Sequence, residues 1–455
     1  MESAEDSSWN PRYKRNVIVY LVVYGILGGV TGITNNELLS YLQIISPRIV
    51  AGITMCSSIV AFLTAASIMT VHWLGYRKLM LIAPPVTILS IVIMTASKSV
   101  VVVVGAYIVS QLFIGLYDIL YPIMFASYVP KDKQTKLFTA VLIDNLACQS
   151  VVTLFAGNFV VWLFGKLAHL KYSLASYWSG YQSQMSANML SHYTQAYRVV
   201  LWLAAAMMAI AFFISFLMKD QKSDYQSTAS QESKQGLTLR TLKGLMTKPV
   251  LVFLTFIAIV HLGAMLVTPF IPIYLNNYLH IPRGMTANIN TIQTAAMFIG
   301  YFGAPWLEKK IGTVVSIGLT TIVCAPLMIT LGFGSALGTG STLVVTVMIV
   351  YFLRSGIANA AMPIQNTLQM SIVDKDLRPA ITALTQIVMA IVSFIDGLFT
   401  EFYLFRTMSG YATAYYIASG LYIVGSVILI IFLTKQYNRK NQVVDITSIC
   451  QVFIG

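Results

Sequence analysis

The chain predicts an all-α integral membrane protein: twelve membrane-spanning helices in two pseudo-symmetric six-helix bundles. Three observations carry that prediction. The first is composition. Of 455 residues, 57% are hydrophobic and only 10% charged, against roughly 25% charged in a soluble protein, and the mean hydropathy is +0.75. The second is the recurrence of apolar runs of about 20 residues, the length that crosses a bilayer. The third is a pattern that occurs twice. Tyr41-Leu42-Gln43 leads to Pro47-Arg48, and Tyr278-Leu279-His280 leads to Pro282-Arg283. Gly75 before a basic turn returns as Gly312 after one, and Gly115 with Pro122 returns as Gly356 with Pro363. The offset stays between 235 and 241 residues, about half the chain. Two halves on one plan point to a transporter with a pathway between them.

The elements follow in order. Residues 1–15 read as a cytoplasmic tail, polar and acidic to Asn10 and then basic at Arg12, Lys14 and Arg15. A full-length span follows, so no cleaved signal peptide is expected. The first bundle, 16–218, holds helices near 16–42, 50–72, 78–97, 99–129, 137–164 and 199–218. Residues 219–248 are a cytoplasmic linker. Its Ser-, Gln- and Lys-rich start is flexible in composition, whereas Leu239, Leu242, Leu245 and Met246 oppose Arg240, Lys243 and Lys248 as in an amphipathic surface helix. The second bundle, 249–435, holds helices near 249–277, 285–306, 314–334, 342–372, 379–404 and 410–434, with Pro249 suited to a first turn. Residues 436–455 form a second cytoplasmic tail. An external loop over 166–197 carries Tyr172, Tyr177, Trp178, Tyr181, Tyr193 and Tyr197, which suit an aromatic belt or a lid.

The net charge of +13 is distributed by side. Roughly 21 of the Lys and Arg residues fall on one predicted face and about 7 on the other, the bias that orients membrane proteins. This places both termini in the cytoplasm, assigns the excess charge to anionic lipid headgroups, and argues against a nucleic-acid partner. Cys56, Cys148, Cys324 and Cys450 show no metal spacing and read as small packing residues. No phosphate-binding loop, metal cluster or nucleophile elbow is present, which argues against an ATP-driven pump or a hydrolase. No metal, cofactor or enzymatic activity is expected.

Two turns carry a family resemblance. The stretch His72-Trp73-Leu74-Gly75-Tyr76-Arg77-Lys78 resembles the helix 2–3 loop of the major facilitator superfamily, Gly-x-x-x-Asp-Arg-x-Gly-Arg-Arg, in its second glycine and basic pair. Its Asp-Arg pair is replaced by His72 and Trp73. Glu308-Lys309-Lys310-Ile311-Gly312 is the degenerate counterpart in the second half. Arg354, Asn359, Pro363 and Met370, followed by Asp374-Lys375-Asp376-Leu377-Arg378, look like that family's helix 10–11 region, and Val129-Pro130-Lys131-Asp132-Lys133 is the equivalent after helix 4. The resemblance implies two rocking bundles, a monomer, and a cytoplasmic latch involving Gly75, Arg77, Lys78, Lys309, Lys310, Gly312 and Arg378. The same residues also serve simply to hold their turns inside.

Chemistry is expected from polar residues within the spans. A charge at mid-bilayer costs roughly 2.5–3.5 kcal/mol, so it faces a cavity or a partner. The candidates are Glu37 in helix 1, Asp118 in helix 4, Asp144 in helix 5, His261 in helix 7, Arg354 and Asn359 in helix 10, and Asp396 in helix 11. The resemblance implies that helices 1, 4, 7 and 10 line the pathway. Arg354 either holds an anionic substrate or pairs with a buried carboxylate, Asp118 among them. Asp118 is a candidate proton carrier, because a carboxylate in low dielectric can load and release a proton near neutral pH; a structural hydrogen bond is the alternative. His261 is a packing residue or a titrating one. Asp144, Asn145 and Gln149, and then Asn288, Asn290 and Gln293, form polar stripes of the kind that join helices or touch substrate. Glu37 and Glu401 lie near the outer surface, where water can solvate them; Asp396 is deeper. Gly25, Gly28, Gly29 and Gly32 give helix 1 a smooth packing face, and Pro269 and Pro272 break helix 7.

The expected function is gradient-driven transport of a small organic solute by alternating access across a plasma membrane. Protons are the working coupling ion. The cargo is either an amphipathic compound moved outward or a small organic anion. A lipid translocator or a transporter-shaped receptor is the alternative.

Overall fold

A computed structural model describes residues 9–97, 99–129, 131–221, 224, 244–374 and 377–438. The two tails beyond these limits, most of the linker with its expected amphipathic helix, Pro130, and Lys375-Asp376 of the helix 10–11 turn lie outside the described residues, as do the side chains of His72 and Trp73.

The described residues hold helices and turns and no strand. Twelve long helices follow in the expected order: α1 (Pro11–Ile45), α2 (53–73), α3 (Leu74–Ala96), α4 (Val100–Tyr128), α5 (Lys131–Leu167), α6 (Ala187–Ser215), α7 (Lys248–Tyr278), α8 (Arg283–Ile311), α9 (Thr313–Gly332), α10 (Gly340–Ser371), α11 (Arg378–Phe402) and α12 (Ser409–Tyr437). Ten of them are long and apolar enough to cross a membrane. The apolar stretch of α2 among the described residues is Ile53–Thr64. The other exception, α8, carries Gln293 and opens with Arg283, Asn288 and Asn290, three polar groups whose partners are described below.

Local chemistry explains the boundaries. Asn10 caps α1 by accepting from Arg12 N at 2.9 Å, with Pro11 in the first turn. Pro249 falls in the first turn of α7. Gly75, the second residue of α3, breaks it from α2 at φ 77°, and Gly312 stands between α8 and α9 at φ 92°. Both dihedrals lie where a side chain is strained, so the repeat seen in sequence is a repeat of backbone shape. α7 is regular to Met265, passes through a tight turn at Thr268–Phe270 and a wide π turn at Tyr274–Tyr278; Pro269 and Pro272 remove two backbone donors there. α1 has a matching π turn at Thr34–Leu38. Each π turn contains an Asn-Asn pair, Asn35-Asn36 and Asn276-Asn277.

The chain folds as two compact units. One comprises 1–34, 60–152 and 201–234; the other comprises 35–59, 153–200 and 235–455. In the first, the glycine face of α1 lies on α5. A Cβ added at Gly28 would stand 2.2 Å from the Asn145 carbonyl oxygen, and one at Gly25 2.6 Å from Asp144 Oδ2. In the second, α8 packs on α10, α9 on α10 and α12, and α7 on α11 and α12. Gly300 and Gly356 let α8 and α10 meet backbone to backbone, with 2.1 Å from an added Gly300 Cβ to the Gly356 oxygen.

Candidate functional site

The second unit gathers the ends of α1 and α5, the start of α2 and the 166–197 segment around the α7–α8 and α11–α12 turns. We call this its distal face. At its centre is a buried ion pair. Arg283 opens α8 directly after Pro282, and Glu37 lies in the π turn of α1. Arg283 Nε donates to Glu37 Oε2 at 3.0 Å and Nη2 donates to Oε1 at 2.9 Å. Both side chains are 0% exposed. Glu37 is therefore not solvated, contrary to one expectation above: α8 and the 166–197 segment cover the end of α1.

Polar and small residues continue the closure. Asn290 Nδ2 donates to Asn36 Oδ1 at 2.6 Å, and Asn158 Nδ2 donates to Asn288 Oδ1 at 3.2 Å. A Cβ at Gly157 would stand 2.4 Å from that of Ala287. The amide stripe of α8 thus joins it to α1 and α5. On α11, Thr400 Oγ1 donates to Ala51 O at 2.7 Å, and a Cβ at Gly397 would stand 2.3 Å from Met55 N.

The 166–197 segment is clasped to the same face. A short helix, Tyr172–Ser179, presents Ser179, whose Oγ accepts from Arg283 N at 2.9 Å and whose carbonyl accepts from Asn276 Nδ2 at 2.9 Å. Gln182 donates to Asn276 Oδ1. His280, at φ 56°, stacks on Tyr181 with centroids 4.8 Å apart, and its Nδ1 lies 2.8 Å from Gly180 O. Tyr193 and Tyr197 are fully buried close to the ion pair. The aromatic residues of this segment divide between surface and interior: Tyr177 is exposed while Tyr193 and Tyr197 are not.

The intramembrane candidates fall in both units. In the first, Asp118 is exposed and accepts from Tyr24 Oη at 2.5 Å. Asp144 is half-buried against Gly25, and Asn145 Nδ2 donates to Tyr24 O at 2.9 Å. In the second, Arg354 is buried among neutral groups. Its Nη2 reaches Thr268 Oγ1 and Tyr422 Oη, each at 3.4 Å, and its Nε has no partner. Asn359 Nδ2 donates to Ser355 O at 2.9 Å within α10, and Tyr301 Oη of α8 approaches its Oδ1 at 3.5 Å. His261 Nε2 lies 2.8 Å from Ser393 Oγ on α11. An apolar groove of about 420 Å³ on this unit is lined by Ile299, Gly303, Trp306, Leu319, Val323 and Leu353.

The turn residues also have defined surroundings. Arg77 N donates to Asp220 Oδ2 at 3.0 Å; Lys78 is exposed. Arg12 makes a two-pronged bond to Asp224, at 2.8 and 2.9 Å, and Tyr128 Oη donates to the same carboxylate at 3.1 Å. Carboxylates from the start of the linker thus hold the ends of α1, α3 and α4, a role sequence reading missed. In the second half, Lys309 and Lys310 are exposed, with Lys310 Nζ 5.0 Å from the Trp306 ring centre. Asn438 brackets Gly312, donating to Ile311 O and accepting from Val315 N, both at 3.1 Å. Arg378 Nε donates to Met370 O at 3.1 Å.

Comparison with known proteins follows the same line. The sequence model of the Major Facilitator Superfamily matches residues 13–397. No curated protein matches the chain in sequence. Among solved structures, the nucleoside transporter NupG superposes with a TM-score of 0.66 at 13% identity, covering 92% of this chain and 99% of its own. A D-xylose-proton symporter gives 0.64 at 12%, covering 95% and 100%. A bacterial homologue of the iron transporter ferroportin, in its inward-facing state, gives 0.64 at 13%, covering 92% and 98%. At these identities the likeness is one of fold.

Proposed function

The chain belongs to the major facilitator superfamily of membrane transporters, matched over residues 13–397, and from that premise we propose that it is a secondary active transporter of a small organic solute. The cycle is alternating access in a plasma membrane, with protons as the coupling ion. The positive-inside bias sets the termini in the cytoplasm and makes the distal face the external one. The observation that carries the reading is the buried Glu37–Arg283 pair. Two charges withdrawn from water contribute little net stability, but they specify which surfaces meet. They act here as the latch of an external gate, supported by the α5–α8 and α2–α11 contacts.

Between the two cargo classes, the surroundings of Arg354 favour a small organic anion. Its guanidinium is buried, its two hydrogen bonds are long, its Nε is unpaired, and its bonding partners are neutral. A carboxylate or phosphate group would supply the missing acceptors. Asp118, exposed and held by Tyr24, is the proposed proton carrier. The protein acts as a monomer, with lipid and solute as partners and no nucleic acid.

The first experiment is a thermal-shift screen of purified protein against metabolites and drugs at two pH values, since a ligand of the folded state raises Tm. A hit then enters a proteoliposome flux assay. Asp118→Asn is expected to abolish pH-gradient-driven movement with the fold intact; unchanged proton dependence removes Asp118 from the mechanism. Arg354→Gln is expected to abolish anion binding; retained binding overturns the anion reading. The apolar groove beside Trp306 and Leu319 is the observation that favours a lipid role. Lipid exchange between leaflets, without solute flux, would select that reading.

A further inference from the structure

Asp396 is used by no step above. It lies on α11 and is completely buried, and neither carboxylate oxygen has a hydrogen-bond partner. An isolated ionised carboxylate in such a medium is so costly that the group neutralises instead. Its place in the fold gives that fact a consequence. Gly397, the next residue, receives Met55 of α2 so closely that an added Cβ would lie 2.3 Å from Met55 N, and one turn on, Thr400 donates to Ala51 O at 2.7 Å. The carboxyl group is therefore sealed by the α2–α11 seam of the distal face.

The groups around it are few. From α2 come Thr54, whose hydroxyl approaches the carboxylate as a weak donor that favours the anion without closing a full hydrogen bond, and Cys56, which is 4% exposed. Arg48, just before α2, is exposed. From α7 comes His261, tied to Ser393, three residues before Asp396 on α11. On α11 itself, Glu401 lies further along, against Gly52. Arg354 of α10 is turned to Thr268 and Tyr422.

We propose that Asp396 is a proton-binding site that ties closure of the α2–α11 seam to protonation: the seam closes around the neutral acid and opens on the anion. On opening, the O–H bond breaks and its proton passes to water; on closing, the carboxylate takes a proton back from water and is buried again. The proposal rests on the transporter reading for its purpose, but its test needs no substrate.

The reporter is native. Cys56 adjoins Met55 in the seam, so it reacts with a water-soluble maleimide only when the seam opens. In a Cys148→Ser, Cys324→Ser, Cys450→Ser background, the labelling rate of Cys56 is measured with Asp396 and with Asp396→Asn across a pH series. Dividing the two rates at each pH cancels the ionisation of the thiol. The ratio is expected to stay near one in mild acid and to rise with pH, by up to about tenfold per unit for one proton. Asp396→Glu, which keeps the acid, is expected to retain the rise. Infrared difference spectra between acidic and alkaline pH should show a protonated-carboxyl band that Asp396→Asn loses. A ratio flat across pH, or a band unchanged in the Asn variant, overturns the proposal even if proton-driven flux is observed. Absence of flux with a rising ratio instead rejects the transport reading and leaves Asp396 as a proton site.

Discussion

Replacing Glu37 by Gln would leave Arg283 buried without its counter-ion. In this structure both partners are 0% exposed and joined by two bonds of 2.9 and 3.0 Å, so water does not screen the loss. Removing one partner of such a pair costs about 3–5 kcal/mol. The cost falls on the closed distal face, because opening rehydrates the guanidinium. At about 1.4 kcal/mol per decade, the balance between closed and open states shifts roughly 100- to 4,000-fold toward open. Spin labels at Pro47 and Met285, both exposed on this face, report the separation by pulsed electron resonance in a cysteine-free background. Glu37→Gln is expected to move the distance distribution to longer values. Adding Arg283→Gln removes the stranded charge and should return much of the short-distance population. A folded Glu37→Gln protein with an unchanged distribution would refute the reasoning.

Three further outcomes follow from the geometry. Gly157→Leu and Gly397→Leu, whose Cβ atoms would meet Ala287 and Met55 N at 2.4 and 2.3 Å, should wedge the distal face open in the same assay. Gly28→Val should instead lower Tm without moving the distal labels, because its Cβ would stand 2.2 Å from the Asn145 oxygen within the α1–α5 packing; overpacking of this kind costs about 1–3 kcal/mol. Gly312→Ala should destabilise by at least the ~1–3 kcal/mol of a side chain forced into this glycine-only backbone region, since a Cβ there also meets Asn438 Oδ1 at 2.4 Å; thermal unfolding in detergent checks it.

Much of the fold was legible because lipid imposes simple rules. Span length, the half-repeat and the special glycines at 75 and 312 follow from hydropathy and steric limits that act locally. The Glu37–Arg283 pair was not legible as a pair. Its members are 246 positions apart, and Arg283, standing after Pro282 at a turn, looked like its repeat counterpart Arg48, which is indeed exposed. A usable signal did exist. Asn290 falls two turns after Arg283, and Asn36 adjoins Glu37. A polar stripe on a membrane helix demands a polar partner, and those two stripes answer each other. The carboxylates of the linker were hidden for the opposite reason: Asp220 and Asp224 sit in a stretch whose composition marks it as solvated, yet Asp224 is buried at 6% exposure.

The wide turns at Thr34–Leu38 and Tyr274–Tyr278 have a mechanical consequence. Each holds a residue more than the regular ladder accommodates. Relaxing the first into ordinary register would screw Leu39–Ile45 by about 100° about its own axis and advance it about 1.5 Å, while the remainder of the rod stayed where it was. Glu37 and Asn36 would swing away from Arg283 and Asn290 without any need for the membrane-embedded shaft to tilt. The paired asparagines at both sites would then be the pawls of a two-position ratchet.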